Sequence, residues 1–130
     1  MVKWSKDWKA SKRPRKQRNY RTRAPLHIKQ KMLAAHLSKE LRAKYSRRSI
    51  SLRKGDKVKI ARGQFRGKTG NVTEVRVKEM KVAVEGIENI RKDGSKMPYM
   101  LEPSNLTVAE LNLEDKRRKE SLERKKKGAK

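Results

Sequence analysis

The residues of this chain best suited to chemistry are crowded into Gly63-Gln64-Phe65-Arg66-Gly67-Lys68-Thr69, a glycine-rich stretch that ends in Gly-Lys-Thr. A similar pattern holds phosphate in nucleotide hydrolases. There, four residues separate the first glycine from the Gly-Lys-[Ser/Thr], a ring that wraps backbone N–H groups around a β-phosphate. Here only three residues intervene. The hydrolase loop must also open a helix whose N-terminus faces the phosphate. The next residues are instead Asn71-Val72-Thr73-Glu74-Val75-Arg76-Val77, β-branched and strand-like. Ring size and context both exclude an ATP- or GTP-binding loop. The remaining reading is a basic hairpin. Gly63, Gly67 and Gly70 fall where one strand reverses into the next, and Arg62, Arg66 and Lys68 project from the turn. Gln64 adds a neutral donor and Phe65 an aromatic face. Such a hairpin can follow a folded polyphosphate chain. Gly70, just inside the second strand, leaves room either at a barrel corner or for a docked phosphodiester.

The elements that position this hairpin sit in a strongly charged chain of 130 residues, with 39 Lys+Arg against 14 Asp+Glu and a formal net charge of +25. Such a charge repels itself in a compact monomer and calls for a polyanionic partner, nucleic acid before membrane surfaces or acidic proteins. No apolar run approaches the roughly 18 residues of a membrane span. Met1-Val2-Lys3-Trp4-Ser5-Lys6 lacks the apolar stretch of a secretory signal, and the protein is expected inside the cell. Without cysteine there is no disulfide and no cysteine-ligated zinc. His27 and His36 are nine positions apart, about half a turn out of phase on one helix, so they share no metal there. No nucleophile is marked with its base. Neither an enzyme nor a cofactor is expected.

Four regions divide the chain. Residues 1–24 hold ten Lys+Arg and one acid without apolar periodicity, which predicts a basic arm disordered when free. Trp4, Trp8 and Tyr20 lie among its cations and either stack on bases or pack on the protein itself. Residues 25–48 read as helical, with Pro25 at a first helical position and Leu33, Leu37, Leu41 and Tyr45 at i+4 spacing. Ser38 is a candidate second N-cap, which would split the segment into two short helices. In residues 49–109, Val58 and Ile60 alternate with lysines as in a half-buried strand, and the three-residue step from Val72 to Val75 predicts a bulge. Lys78-Glu79 turns the chain into Met80–Glu85, Gly86–Lys96 reads as a polar loop, and Tyr99–Leu101 and Leu106–Val108 supply two last strands around Pro103-Ser104-Asn105. Five short strands in about sixty residues read as a small barrel. Residues 110–130 predict a frayed, solvated helix that ends before Gly128.

Lys54 through Val72 strongly resembles the KOW motif, with Gly70 at its hallmark glycine. Transcription elongation factors carry the same motif, and such a factor, or an RNA chaperone, is the alternative reading. The flanks separate the two. Ala24-Pro25-Leu26-His27, Leu37 through Tyr45, Pro103-Ser104-Asn105-Leu106 and Leu113-Glu114-Asp115-Lys116-Arg117 are similar to a family of large-subunit ribosomal proteins, called L twenty-four in archaea and L twenty-six in eukaryotes. The likeness spans roughly residues 10–124 and is weakest in the Trp-bearing start. It implies a mostly β protein built on a five-stranded SH3-like barrel, a structural constituent of the cytoplasmic ribosome. It further implies large-subunit ribosomal RNA and neighbouring ribosomal proteins as partners, a place near the peptide exit tunnel and a part in early subunit assembly. The residues expected to meet RNA are Arg13, Arg15, Lys16, Arg18, Arg21, Arg23, His27, Arg47, Arg48, Arg62, Gln64, Phe65, Arg66, Lys68, Arg91, Lys92 and Lys96.

Overall fold

Val58 and Ile60 are buried between exposed Lys57 and Lys59, and the strand they form lies at the centre of a seven-stranded sheet. The structure, a computed structural model, describes residues 4–127. In chain order the strands are β1 (Ala34–Leu37), β2 (Ser49–Ser51), β3 (Lys57–Ile60), β4 (Thr69–Arg76), β5 (Lys81–Ile90), β6 (Lys96–Leu101) and β7 (Leu106–Glu110). Their order across the sheet is β2-β1-β7-β3-β4-β5-β6. Antiparallel pairing sets Val58 opposite Val108 on one side and Gly70 on the other. The β4–β5 register shifts between Val72 and Glu74, a bulge at the place where the valine spacing breaks its period of two.

Five strands were expected and seven are present. The additional pair is β1 and β2, and β1 occupies a stretch that read as helix. Leu33, Ala35 and Leu37 are all buried, at relative exposures of 1%, 0% and 0%. The i+4 spacing of Leu33 and Leu37 is also twice the strand period, so the two leucines fit either element. Ala35 between them decides for the strand. The helical reading holds on either side, as α2 (Leu26–Met32) and α3 (Lys39–Tyr45). Pro25 caps α2 from outside instead of beginning it. Ser38 is the N-cap of α3, its hydroxyl accepting from the Leu41 N–H.

Gly86–Lys96 is not an open loop. β5 continues to Ile90 and β6 begins at Lys96, with Asn89 opposite Met97 and Ile90 opposite Lys96, so the connection is residues 91–95. Nearly every side chain from Glu85 to Pro98 is exposed, Ile87 excepted, and no apolar face marks the strands in sequence.

The basic arm also has local order. A 3-10 turn spans Lys6–Ala10 and α1 spans Pro14–Arg23, and neither buries a residue. Pro14 sits in the first turn of α1, and Arg15, Lys16 and Gln17 after it are strong helix formers. The first three residues of the arm and the last three of the chain lie outside the described residues. At the other end, α4 (Lys116–Lys127) is held more firmly than a solvated helix would be. Leu122 enters the core at 1% exposure. The Arg118 guanidinium grips the buried Asp56 carboxylate through two bonds, of 2.6 and 2.8 Å, while also donating to the carbonyls of Asn112 and Ser51. Asp56 further accepts from the backbone N–H groups of Arg53 and Asn112. With every lone-pair direction occupied, this pair can sit where solvent does not reach.

Candidate nucleic-acid interface

The glycine hairpin is closed by backbone bonds from Gly67 N–H to the Ile60 carbonyl and from Ile60 N–H to the Lys68 carbonyl, at 2.8 and 2.9 Å. Its three glycines do different work. Gly63 and Gly67 have φ of +96° and +91°, with open space where a side chain would stand, so they serve the turn's backbone conformation. Gly70 has no positive φ. A Cβ there would lie 2.6 Å from the Glu85 carbonyl oxygen and 2.8 Å from Val84 Cγ1. The space that Gly70 leaves is therefore filled by β5 of the protein itself.

Arg62, Gln64, Arg66 and Lys68 are exposed on this hairpin. Phe65 is half-buried. Its ring meets Tyr99 edge-on with centroids 5.2 Å apart, and Lys68 Nζ lies 5.3 Å from the same ring. Arg62, Gln64 and Phe65 line one cleft together with Lys81, Tyr99, Glu102 and Asn105. Lys81 is the cation of that cleft which the sequence did not single out. It alternates with valines in an ordinary strand pattern and carried no local signal.

Arg91 and Lys92 sit in the β5–β6 connection, beside Lys96. This tip is ordered by its own hydrogen bonds. Arg91 N–H donates to the Ser95 carbonyl, and the Asp93 carboxylate accepts from both the hydroxyl and the N–H of Ser95. The Ser95 hydroxyl, followed by its N–H, holds the Asp93 carboxyl below the usual aspartate range. Arg13, Arg15, Lys16, Arg18, Arg21 and Arg23 belong to α1 or cap it, and all are exposed. His27 is exposed on α2, and Arg48 is exposed just before β2. Arg47 differs. It is half-buried and donates to the carbonyl and hydroxyl of Ser121, so its guanidinium ties α4 to the body.

The pairing pattern separates two classes of cation. Arg118, Arg53, Lys57 and Arg76 all have carboxylate partners. Among the described residues, the cations of α1, the glycine hairpin and Arg91 and Lys92 enter no ion pair, and Lys96 meets Glu88 only at 3.9 Å. A helix that is polar all round and buries nothing gains little from the rest of its own chain. The charge of α1 faces outward. Arg and Lys in such a setting are chemically suited to phosphate oxygens, which they meet through charge-assisted hydrogen bonds. Among the described residues, no group of three or more His, Cys, Asp and Glu is placed to hold a metal, and no helix is long and apolar enough to cross a membrane.

Residues 11–125 match the family described as the eukaryotic L twenty-six and archaeal L twenty-four ribosomal proteins. The chain belongs to this ribosomal protein family. It is 45% identical over 115 residues to a "Large ribosomal subunit protein uL24" of Methanosphaera stadtmanae, covering 88% of this chain and 98% of that one. The protein of the same name from Korarchaeum cryptofilum is 44% identical over 115 residues, 88% of each chain. That of Methanospirillum hungatei is 46% identical over 112 residues, 86% of this chain and 93% of the other. The family is structural and non-enzymatic, in keeping with a glycine hairpin that leads from strand to strand.

Proposed function

We propose that this chain is a structural constituent of the large ribosomal subunit in the cytoplasm, held on ribosomal RNA chiefly through phosphate contacts. The observation that carries the RNA reading is the division of its cations. Arg118 and Arg47, which fasten α4, are bound to Asp56 and Ser121, whereas among the described residues the cations of α1 and the glycine hairpin, with Arg91 and Lys92 of the β5–β6 tip, enter no ion pair and stand exposed on ordered backbone. Membership of the ribosomal family supplies the polyanion, and favours this reading over a KOW-bearing transcription factor or RNA chaperone. Strands β7-β3-β4-β5-β6 are adjacent in that order and share one apolar core, which supports an SH3-like barrel as the rigid body from which the basic elements extend. A position near the peptide exit tunnel, early entry into the assembling subunit and neighbouring ribosomal proteins as further partners belong to the same proposal.

Two measurements test it. The chain should cosediment with large subunits through a high-salt gradient. Replacing Arg15, Arg18 and Arg21 together with glutamine keeps helix propensity and removes three exposed charges. Each lost phosphate contact takes about 0.7–0.9 from the slope of log K against log salt, so the slope should shrink by roughly 2–3. An unchanged slope would show that α1 does not touch RNA.

A further inference from the structure

Among the described aromatic side chains of the N-terminal arm, Trp8 is the exposed one. Trp4 lies on Tyr20, with ring centroids 5.2 Å apart, and its indole N–H donates to the Tyr20 carbonyl at 3.1 Å. The question of what the arm's aromatics touch thus has a split answer. Trp4 packs on protein, whereas Trp8 is 44% exposed. Trp8 also precedes residue 11, where the family match begins, so the shared fold does not account for it.

Trp8 and Tyr20 border a cleft of about 370 Å³, whose remaining lining is Ser11, Lys16, Asn19 and Arg23. Small-molecule sites begin at about 300 Å³. The lining has two aromatic residues, two cations, an amide and a hydroxyl, and no acid. Lys16 and Arg23 enter no ion pair among the described residues. An unpaired nucleotide asks for this combination. Its base needs an aromatic face, its polar edge needs an amide or hydroxyl, and its flanking phosphates need cations. A duplex cannot use the cleft, because its bases are stacked inside and the deep groove of A-form RNA is closed to side chains. A cationic ligand would meet the repulsion of a +25 chain with no carboxylate in the cleft to receive it.

We infer that the Trp8 cleft takes one unpaired nucleobase of the bound RNA, stacked on the indole, with Lys16 and Arg23 on the adjoining phosphates. This rests on the RNA reading above and adds to it a contact that depends on bases rather than charge.

The test uses the full chain carrying Trp4→Phe, which leaves Trp8 as its single tryptophan. The probes are a short single-stranded RNA of mixed sequence and an abasic strand of equal length, which has the same phosphates and no bases. The RNA should quench Trp8 fluorescence and bind at least about fivefold more tightly than the abasic strand, the lower end of what one stacked base contributes. Adding Trp8→Ala should abolish that difference while leaving the salt slope and the melting temperature unchanged. Trp8→Phe should retain most of it. Equal affinity for the two strands, joined to a steep salt slope, would overturn the base site and leave the phosphate reading standing. The same holds if Trp8→Ala preserves the difference between strands. Failure of both strands to bind would instead remove the RNA reading, and the base site with it.

Discussion

Replacing Arg118 with methionine removes the fork that fastens α4 and leaves the Asp56 carboxylate, at 0% exposure, without its counter-charge. Breaking a buried pair in this way costs about 3–5 kcal/mol. Asp56 would keep the backbone N–H groups of Arg53 and Asn112, at 2.9 and 3.0 Å, which places the expected cost near the lower end. The carbonyls of Asn112 and Ser51 also lose their donor, which works in the opposite direction. A loss of about 3 kcal/mol is a large share of the roughly 5–15 kcal/mol that holds a domain together. It should lower the melting temperature by about 10 °C. Urea titrations of Arg118→Met, Asp56→Ala and the double variant give the coupling directly, and the double variant should cost clearly less than the two singles added. Arg76→Ala, which breaks an exposed pair with Glu74, is the control and should scarcely move the midpoint. A cost below about 1 kcal/mol for Arg118→Met, or full additivity, would mean that the buried pair does not fasten α4 and would leave that task to Leu122 and the Arg47–Ser121 bonds.

Gly70→Ala should destabilise the sheet by about 1–3 kcal/mol in thermal melts, and Gly70→Val by more, because the added Cβ meets the Glu85 backbone, which cannot rotate away. A normal melt combined with lost RNA affinity would mean that the space is kept for RNA after all. Arg66→Ala together with Lys68→Ala should melt close to the parent, since neither side chain has a carboxylate partner among the described residues, yet bind RNA more weakly, with the deficit shrinking as salt rises. Early melting with normal binding would make these cations structural. Asp115 should titrate below the ordinary aspartate value of about 3.9 in an NMR titration, because the Arg53 guanidinium and then the Arg117 N–H donate to its carboxylate. Its folded pKa is depressed, so its contribution to stability is present above that ordinary value and fades as pH falls through the folded one. Arg53→Gln should bring the titration back toward about 3.9.

The parts of the fold that were legible in sequence are those fixed by local chemistry. Val58 and Ile60 alternate over only four residues, yet the glycines after them mark where the strand must turn, and the bulge is written in the step from Val72 to Val75. Strand β1 was hidden because two leucines four apart satisfy both periods, and the deciding residue, Ala35, is too small to stand out as apolar. The outer half of the β5–β6 hairpin was hidden for a different reason. Strands exposed on both faces show no alternation, and only the pairing of Asn89 with Met97 and Ile90 with Lys96 reveals them. The cations expected to meet RNA were readable as a set from charge alone. Charge could not separate Arg118 and Arg47, which hold α4, from the arginines that face outward. That distinction lies in contacts across 62 and 74 residues of chain, beyond the reach of any local pattern.

Strand β1 runs parallel to β7, with His36 beside Thr107 and Leu37 beside Val108. The two strands are about seventy residues apart in the chain. Synthesis at about 5–20 residues per second therefore leaves β1 waiting about 4–14 s for its partner. Throughout that interval Leu33, Ala35 and Leu37 have no β7 to lie against, and α2 alone separates them from the basic arm. β3 waits for the same strand, since Val58 pairs with Val108. The middle of the sheet therefore closes in a single late event, when one five-residue strand satisfies two neighbours at once. A nascent chain interrupted before Leu106 would be a polycation whose β1 is paired on one edge only, with β2, and whose β3 lacks β7.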